Sequence, residues 1–376
     1  MTRIKPQEVY FFAGGGTGGH LYPALAVAHR LLEKQPDCDI HFIGTSRGLE
    51  ARVVPEQGFP LHLISVRGFA RKRFWANLLA PFRLLVSLAQ CARLVRKYRP
   101  SVAVGTGGYV SGPMILVAHL FGAATLIQEQ NSYPGVTTRL LARWVDQVHV
   151  AFADTLKYFR HPDRVHLTGN PVRNLQVTES PEQARAHFQL HPDRLTLLVF
   201  GGSQGAHVIN TAMIKALPML LEQTPIQILW ATGKWDLREV TQAAAADLRR
   251  VRVFEYLSEM PLAYRAADLA VCRAGALTLA ELAQCGLPAV LIPFARAAAN
   301  HQERNALALQ KEQAAAVILE KELNERILLQ EIMTLVHNAE ARSRISQAIR
   351  GTAFPHATDE LTQAILMLRK QKGDIR

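Results

Sequence analysis

The sequence predicts an α/β protein built of two Rossmann-like domains that face each other across a cleft. Three observations carry this. Strand-like and helix-like segments alternate along the chain, the pattern of parallel sheets with crossover helices. The series halts near 169–171 and begins again near 195. Each series opens with a strand that runs straight into a glycine-rich turn and then a helix. A chain of 376 residues has room for two domains at roughly 100–200 residues each.

In the first series, residues 8–13 read as a strand and 23–34 as a helix with Pro23 near its first turn. Further strands are expected at 40–44, 61–64, 102–104, 125–127, 147–151 and 164–168. A polar stretch at 178–192 holds a short helix. The second series reads as strands at 195–200, 226–231, 251–254, 269–272, 289–292 and 315–319. The tail from 359 to 369 is helical, with Leu361, Ile365 and Leu368 on one face. The expected division is 1–172 and 173–352, with the C-terminal helix 353–376 packing back on the first domain.

Hydrophobic residues make up 49% and charged residues 20% of the chain, which excludes a disordered or fibrous protein and supports sizeable cores. The four cysteines are scattered and form no C-x-x-C pair, so neither a disulfide framework nor a zinc ribbon is expected, and a reducing compartment fits. The N-terminus lacks a basic start followed by an apolar core, so no signal peptide is expected. From 101 to 128 there is no acidic or basic residue apart from His119. That is long enough for a bilayer at ~20 residues, but its glycines and Pro113 break it into strand, loop, helix and strand.

The net charge of +12 is unevenly placed: between Arg67 and Arg99 there are nine Lys or Arg residues and no Asp or Glu. Arg71, Lys72 and Arg73 stand beside Phe74, Trp75, Leu79 and Phe82. Cations beside aromatics and leucines suit an anionic lipid surface, at about 1 kcal/mol per cation. The alternative is an amphipathic helix whose apolar face is core. A nucleic-acid partner is not expected, because no helix-turn-helix, finger or aromatic-basic sheet motif accompanies the charge.

The two glycine-rich turns are GGGTGGH at 14–20 and GGSQGA at 201–206. A strand-to-helix turn of this kind offers main-chain N–H groups and a positive dipole end to an anion, at the carboxyl ends of the strands. Gly14, Gly16 and Gly19 satisfy G-x-G-x-x-G, but the second strand ends in Gly44-Thr45-Ser46 with no acid to hold a ribose. A nicotinamide dehydrogenase therefore recedes. Asp37-Cys38-Asp39 spells D-x-D but lies where the chain enters a strand, so it reads as solvated loop and no protein-held metal is expected. The turn at 105–113 either binds a second phosphate group or is purely structural. Glu281 reads either as an acceptor for a sugar diol or as a helix carboxylate. His20 reads either as a general base, with histidine's ordinary pKa of about 6.5, or as a phosphate-positioning or capping residue.

GGGTGGH at 14–20, GGYVSGP at 107–113, EQN at 129–131, GNPVR at 169–173, GGSQGA at 201–206, GALTLAE at 275–281 and NHQERNA at 300–306 occur in this order. Together they resemble the MurG family, bacterial N-acetylglucosaminyltransferases of peptidoglycan synthesis, over nearly the whole chain. Gln128 stands where His often precedes EQN, and Ala274 where Ser is common before Gly275.

The resemblance implies a GT-B glycosyltransferase fold and an inverting transfer. N-acetylglucosamine would move from UDP to the 4-hydroxyl of N-acetylmuramyl-pentapeptide on undecaprenyl diphosphate, at the cytoplasmic face of the inner membrane. The first domain would serve the lipid acceptor and membrane, the second the UDP-sugar. By motif, Arg173 and Ser203 would meet the diphosphate, and Leu257 would border uracil. Ala276, Leu277, Thr278 and Glu281 would line the nucleotide sugar, and Gln302 would reach its hydroxyls. Thr17, Gly18, Gly19 and Asn131 would close over the sugar or the acceptor diphosphate. His20 would be the base, with Glu129 in reserve. No cofactor is implied, and magnesium would act only from solution. Two other readings remain: a UDP-sugar 2-epimerase of the same fold, which needs no acceptor, and a non-catalytic basic membrane-binding protein.

Overall fold

The structure is a computed structural model that describes residues 8–66, 80–202 and 204–373. Arg71, Lys72, Arg73, Phe74, Trp75, Leu79 and Ser203, all singled out in the sequence, lie outside the described residues. The chain forms two compact units, one of residues 1–173 with 354–376, the other of 174–353.

Unit 1 runs β1 (Val9–Gly14), α1 (Gly18–Lys34), β2 (Asp39–Gly44), α2 (Glu50–Glu56), β3 (Leu61–Leu63), α3 (Ala80–Tyr98), β4 (Val102–Gly107), α4 (Gly108–Leu120), β5 (Ala124–Glu129), α5 (Val136–Leu141), β6 (Gln147–Val150) and β7 (Val165–Leu167). All its pairings are parallel, in the order β3-β2-β1-β4-β5-β6-β7. A parallel sheet is covered on both faces, and β1 shows how. Tyr10 and Phe12 join one core with Leu21, Leu31 and Phe42, while Phe11 and Ala13 join the other with Ile43, Met114 and Ile127. That is the two-residue period of a strand. At roughly 1.5–3 kcal/mol per fully buried large apolar side chain, these two layers hold the unit together.

Unit 2 comprises α6 (Pro181–His187), β8 (Thr196–Phe200), α7 (His207–Gln223), β9 (Gln227–Ala231), α8 (Leu237–Ala244), β10 (Val251–Phe254), α9 (Met260–Ala266), β11 (Leu269–Cys272), α10 (Ala276–Cys285), β12 (Ala289–Leu291), α11 (His301–Lys311), β13 (Ala316–Val317), α12 (Glu325–His337) and α13 (Ala339–Gly351). Its parallel sheet has the order β10-β9-β8-β11-β12-β13. The core is centred on Trp230, whose indole N–H is satisfied by Asn210 Oδ1 at 2.9 Å. The last helix, α14 (Ala357–Gly373), belongs to unit 1, where Leu361, Ile365 and Leu368 enter the α1 core.

Every expected strand is present. The helix after β1 starts earlier than expected, at Gly18, so Pro23 lies inside α1 rather than near its start. Residues 101–128 are β4, α4 and β5, and no helix among the described residues is long and apolar enough to cross a membrane. The apolar residues of α3 divide: Cys91 and Val95 are core, while Phe82, Leu84 and Leu85 are exposed.

Candidate active site

Both sheets reverse strand order beside their first strand, and in such a sheet the ligand crevice lies outside the carboxyl ends at that point. In unit 1 the reversal falls between β1 and β4. In unit 2 it falls between β8 and β11. Of the described residues read from the sequence, Thr17, Gly18, Gly19 and His20 follow β1, Glu129 and Asn131 end or follow β5, Leu257 follows β10, and Ala276, Leu277, Thr278 and Glu281 follow β11, while Arg173 and Gln302 lie farther along the chain from a strand end.

In unit 1, Thr17 is the N-cap of α1 but makes no side-chain capping bond. Its hydroxyl lies 3.2 Å from His20 Nδ1, which is also 3.3 Å from the Gly15 carbonyl. The ring of half-buried His20 rests on Gly107, where a Cβ would come within 2.6 Å of Cδ2. Gly107 also has a φ of +108°, so both space and backbone demand glycine there. The amides of Gly18 and Gly19 open α1, where helix N–H groups have no intrahelical acceptor. The 107–113 turn is packed against the first one: Ser111 Oγ lies 2.5 Å from the Ala13 carbonyl and accepts from the Gly107 N–H at 3.0 Å.

Glu129 ends β5 and is buried. Its Oε1 accepts from Asn131 N and Nδ2 at 3.1 and 3.2 Å, and its Oε2 from Gly135 N at 2.9 Å. The carboxylate thus shapes the 131–135 loop and sets Asn131. Beside it, buried Gln130 donates to the Thr106 carbonyl at 2.7 Å, and Gln128 to Asn170 Oδ1 at 2.9 Å. Gln128, the departure from the family pattern, is thereby an internal link between β5 and the 169–171 segment. Arg173, at the end of the first stretch of unit 1, is exposed.

In unit 2, Gly205 has φ +75°, and a Cβ there would lie 2.0 Å from the Thr232 carbonyl, so the turn into α7 admits only glycine. Leu257 is buried in the loop after β10. Ala276 begins α10, whose N-cap, Gly275, carries no side chain to satisfy the first amides. Leu277 and Thr278 follow, half-buried in its first turn. Glu281 is buried and accepts from the Tyr264 hydroxyl at 2.8 Å. Gln302, early in α11, accepts from the Phe294 N–H at 3.0 Å through Oε1. The residues before it, Ala299 and Asn300, are both left-handed at φ 53°, a costly state for non-glycine residues. Arg273 and Glu320 brace the same region. They pair at 3.2 Å, and Glu320 also accepts from Ala295 N at 2.6 Å.

Several of these groups escaped the sequence reading. Tyr264 acts through a bond between segments distant in the chain that no spacing announces, and although Thr106 and Asn170 fall inside the 105–113 turn and the GNPVR motif, their linking roles come only from such bonds. Asp37 and Asp39 lie at the amino end of β2, away from the carboxyl edge, where Asp39 accepts from or pairs with His41 at 2.9 Å. Among the described residues no three His, Cys, Asp or Glu side chains are grouped to share a metal ion. Burial pushes the thiols of core residues Cys38 and Cys91 up to about 11 and about 12, and burial with the charge of Glu281 pushes that of half-buried Cys285 up to about 12.

Residues 10–150 match the glycosyltransferase family 28 N-terminal domain and 196–361 its C-terminal domain. A UDP-N-acetylglucosamine--N-acetylmuramyl-(pentapeptide) pyrophosphoryl-undecaprenol N-acetylglucosamine transferase from Chlorobaculum parvum is 45% identical, over 96% of this chain and 99% of that protein. One of the same name from Desulfitobacterium hafniense is 43% identical over 94% and 97%. The crystal structure of Acinetobacter baumannii MurG superposes with a TM-score of 0.78 at 30% identity, covering 96% of this chain and all of that one. Identity at this level along both chains, on two sheets with the motif residues at their carboxyl ends, makes the chain a member of the MurG family of glycosyltransferase family 28.

Proposed function

We infer that the protein transfers N-acetylglucosamine from UDP-N-acetylglucosamine to the 4-hydroxyl of N-acetylmuramyl-pentapeptide on undecaprenyl diphosphate, inverting the anomeric carbon. The observation that carries this is near-full-length identity of 45% to a relative named for that transfer. Unit 2 takes the donor. Glu281, held by Tyr264, receives the ribose hydroxyls, while Ala276, Leu277, Thr278 and Leu257 line the nucleotide. Gln302 spends its carbonyl on Phe294 and keeps amide donors for the sugar.

Negative charge grows on the departing UDP as the sugar passes through an oxocarbenium-like state. Main-chain donors at the starts of α7 and α10, with Ser203 and Arg173, stabilise that charge in a preorganised way. No protein-held metal enters this reading. In unit 1, Thr17, Gly18, Gly19 and Asn131 receive the acceptor diphosphate or sugar. His20 takes the proton from the attacking hydroxyl: an Nδ1–H directed at Gly15 O puts the basic lone pair on Nε2. Glu129 already accepts three hydrogen bonds, so it serves as a shaping residue in this reading.

The acceptor is a lipid, so the enzyme works as a peripheral protein at the cytoplasmic membrane face. Exposed Phe82 and Leu85 beside Arg83 support this. So does a cavity of about 340 Å³ lined by Arg139, Arg143, Arg160, Leu140, Tyr158 and Phe159. The test of function is release of UDP from UDP-N-acetylglucosamine with and without a lipid acceptor analogue. Release only with acceptor is expected. Conversion of the sugar nucleotide by itself points to an epimerase instead.

A further inference from the structure

Among the described residues of unit 1, Glu50 is the most completely enclosed carboxylate, at 1% exposed, and the transfer chemistry gives it no part. It begins α2, yet its side chain turns back beneath the glycine-rich turn of α1. Oε2 accepts from the Gly16 N–H at 2.8 Å. Oε1 accepts from the Thr45 N–H and hydroxyl, each at 2.9 Å. Its seat exists because three residues lack side chains: a Cβ at Gly15, Gly44 or Gly48 would lie 2.5, 2.5 or 2.0 Å from its atoms. Among the described residues no Lys or Arg pairs with it. A buried carboxylate without a cation is expensive, and it persists only where the surrounding donors are fixed in place.

We propose that Glu50 is a positioning residue for the acceptor side of the reaction, acting as an internal anion that sets the 14–17 turn before any ligand arrives. It takes up the Gly16 amide, so the donors left for an acceptor diphosphate are those at Thr17, Gly18 and Gly19. It also fixes the Gly15–Gly16 segment, and through the Gly15 carbonyl the orientation of His20. This rests on the acceptor being bound by unit 1 as proposed above. A misplacement of reacting groups by about 1 Å is enough to cost on the order of 10²-fold in rate.

Glutamine at position 50 offers one acceptor atom and one NH2, so either Gly16 N–H or the Thr45 donors must face another donor. Glu50→Gln is expected to lower kcat/KM for a lipid acceptor analogue by about 10–100-fold, while the Kd for UDP by calorimetry stays within about twofold. Glu56→Gln, at the exposed far end of α2, is expected to change neither. A purely structural role lowers UDP-binding stoichiometry and activity in parallel; that result, or an unchanged kcat/KM, overturns the proposal. A second measurement needs no variant. In 15N-glycine-labelled wild-type protein, the Gly16 amide is expected to exchange at least about tenfold more slowly than that of Gly18. Equal exchange overturns the proposal. If the transfer reading itself is wrong, wild-type protein fails to release UDP with acceptor present, while the exchange measurement still reports on Glu50.

Discussion

Thr106 Oγ1 donates a 2.7 Å hydrogen bond to the main-chain carbonyl of His20. The first turn of α1 is thereby pinned to the neighbouring strand at the proposed base. The chain of bonds extends outward: Gln130 Nε2 donates to the Thr106 carbonyl at 2.7 Å, and Asn170 Nδ2 to the Gln130 carbonyl at 3.1 Å. Thr106 is 1% exposed, so Thr106→Val removes the tie between β4 and the first turn of α1 and sets a methyl group against the His20 carbonyl in a dry site. The expected outcome is a fall in kcat of about tenfold, with the Kd for UDP unchanged, since the defect lies in unit 1. Unaltered kcat in the variant rejects the coupling.

His20→Ala tests the base directly. General base catalysis contributes about 10²–10⁴-fold, so kcat with acceptor saturating is expected to fall by that range, with UDP binding retained. The acid limb of the kcat–pH profile also disappears, because the group whose deprotonation it reports is gone. Full turnover at saturating substrates removes His20 from this role.

The donor side has its own check. Tyr264 is 3% exposed and its hydroxyl orients Glu281. Tyr264→Phe keeps the ring packed on Phe200 and removes the hydroxyl that donates to Glu281. The KM for UDP-N-acetylglucosamine is expected to rise about 5–10-fold with kcat little changed, the net worth of roughly one ordinary hydrogen bond, because Glu281 stays in place and loses only its orientation. A fall in kcat at constant KM instead points to a role for Glu281 in the chemical step.

How much of this was legible in the sequence follows from what fixes each part. The thirteen strands and the two reversal points were readable because buried parallel strands are short apolar runs between turn signals. The glycine turns were readable because Gly107 and Gly205 stand where no other residue fits. The start of α1 lies earlier than the sequence predicts because Gly18 and Gly19 are poor helix formers, and packing of Leu21, Ala24 and Leu25 overrides that propensity. Glu50 left no trace at all. Its partners, Thr45 and Gly16, come to it only once β1 and β2 pair, and a glutamate at the head of a short helix looks like an ordinary first-turn acid. The same holds for Tyr264, which reaches Glu281 from a different helix.

Acid stability has a specific source in unit 1. His149 is 3% exposed in β6, and burial, with the nearby charge of His166, lowers its pKa to about 3. The unfolded chain takes up this proton near pH 6.5. Stability from keeping His149 neutral is therefore complete above that pH and is lost as pH falls toward 3. At pH 5 the loss is about 2 kcal/mol from this group. His149→Gln removes the titration, so its denaturation midpoint is expected to drop less between pH 7 and pH 5 than that of the wild type. Parallel drops place the acid sensitivity elsewhere.

Membrane contact can be divided between charge and apolar surface. Arg139, Arg143 and Arg160 line one cavity of unit 1, and exposed Val136, Leu140 and Trp144 stand on or beside α5. The other face is Phe82 and Leu85 on α3, continuous in sequence with Arg71, Lys72 and Arg73. Each cation near an anionic surface is worth about 1 kcal/mol and is screened within a Debye length. Reversing Arg139, Arg143 and Arg160 to Glu is therefore expected to weaken binding to anionic vesicles by 100-fold or more (about 3 kcal/mol or above) at low salt, with the difference shrinking at high salt. Phe82→Ser with Leu85→Ser removes apolar insertion, so its effect is expected to persist at high salt. If charge reversal leaves low-salt vesicle binding unchanged, the cavity arginines face no lipid and the α3 segment carries the contact alone.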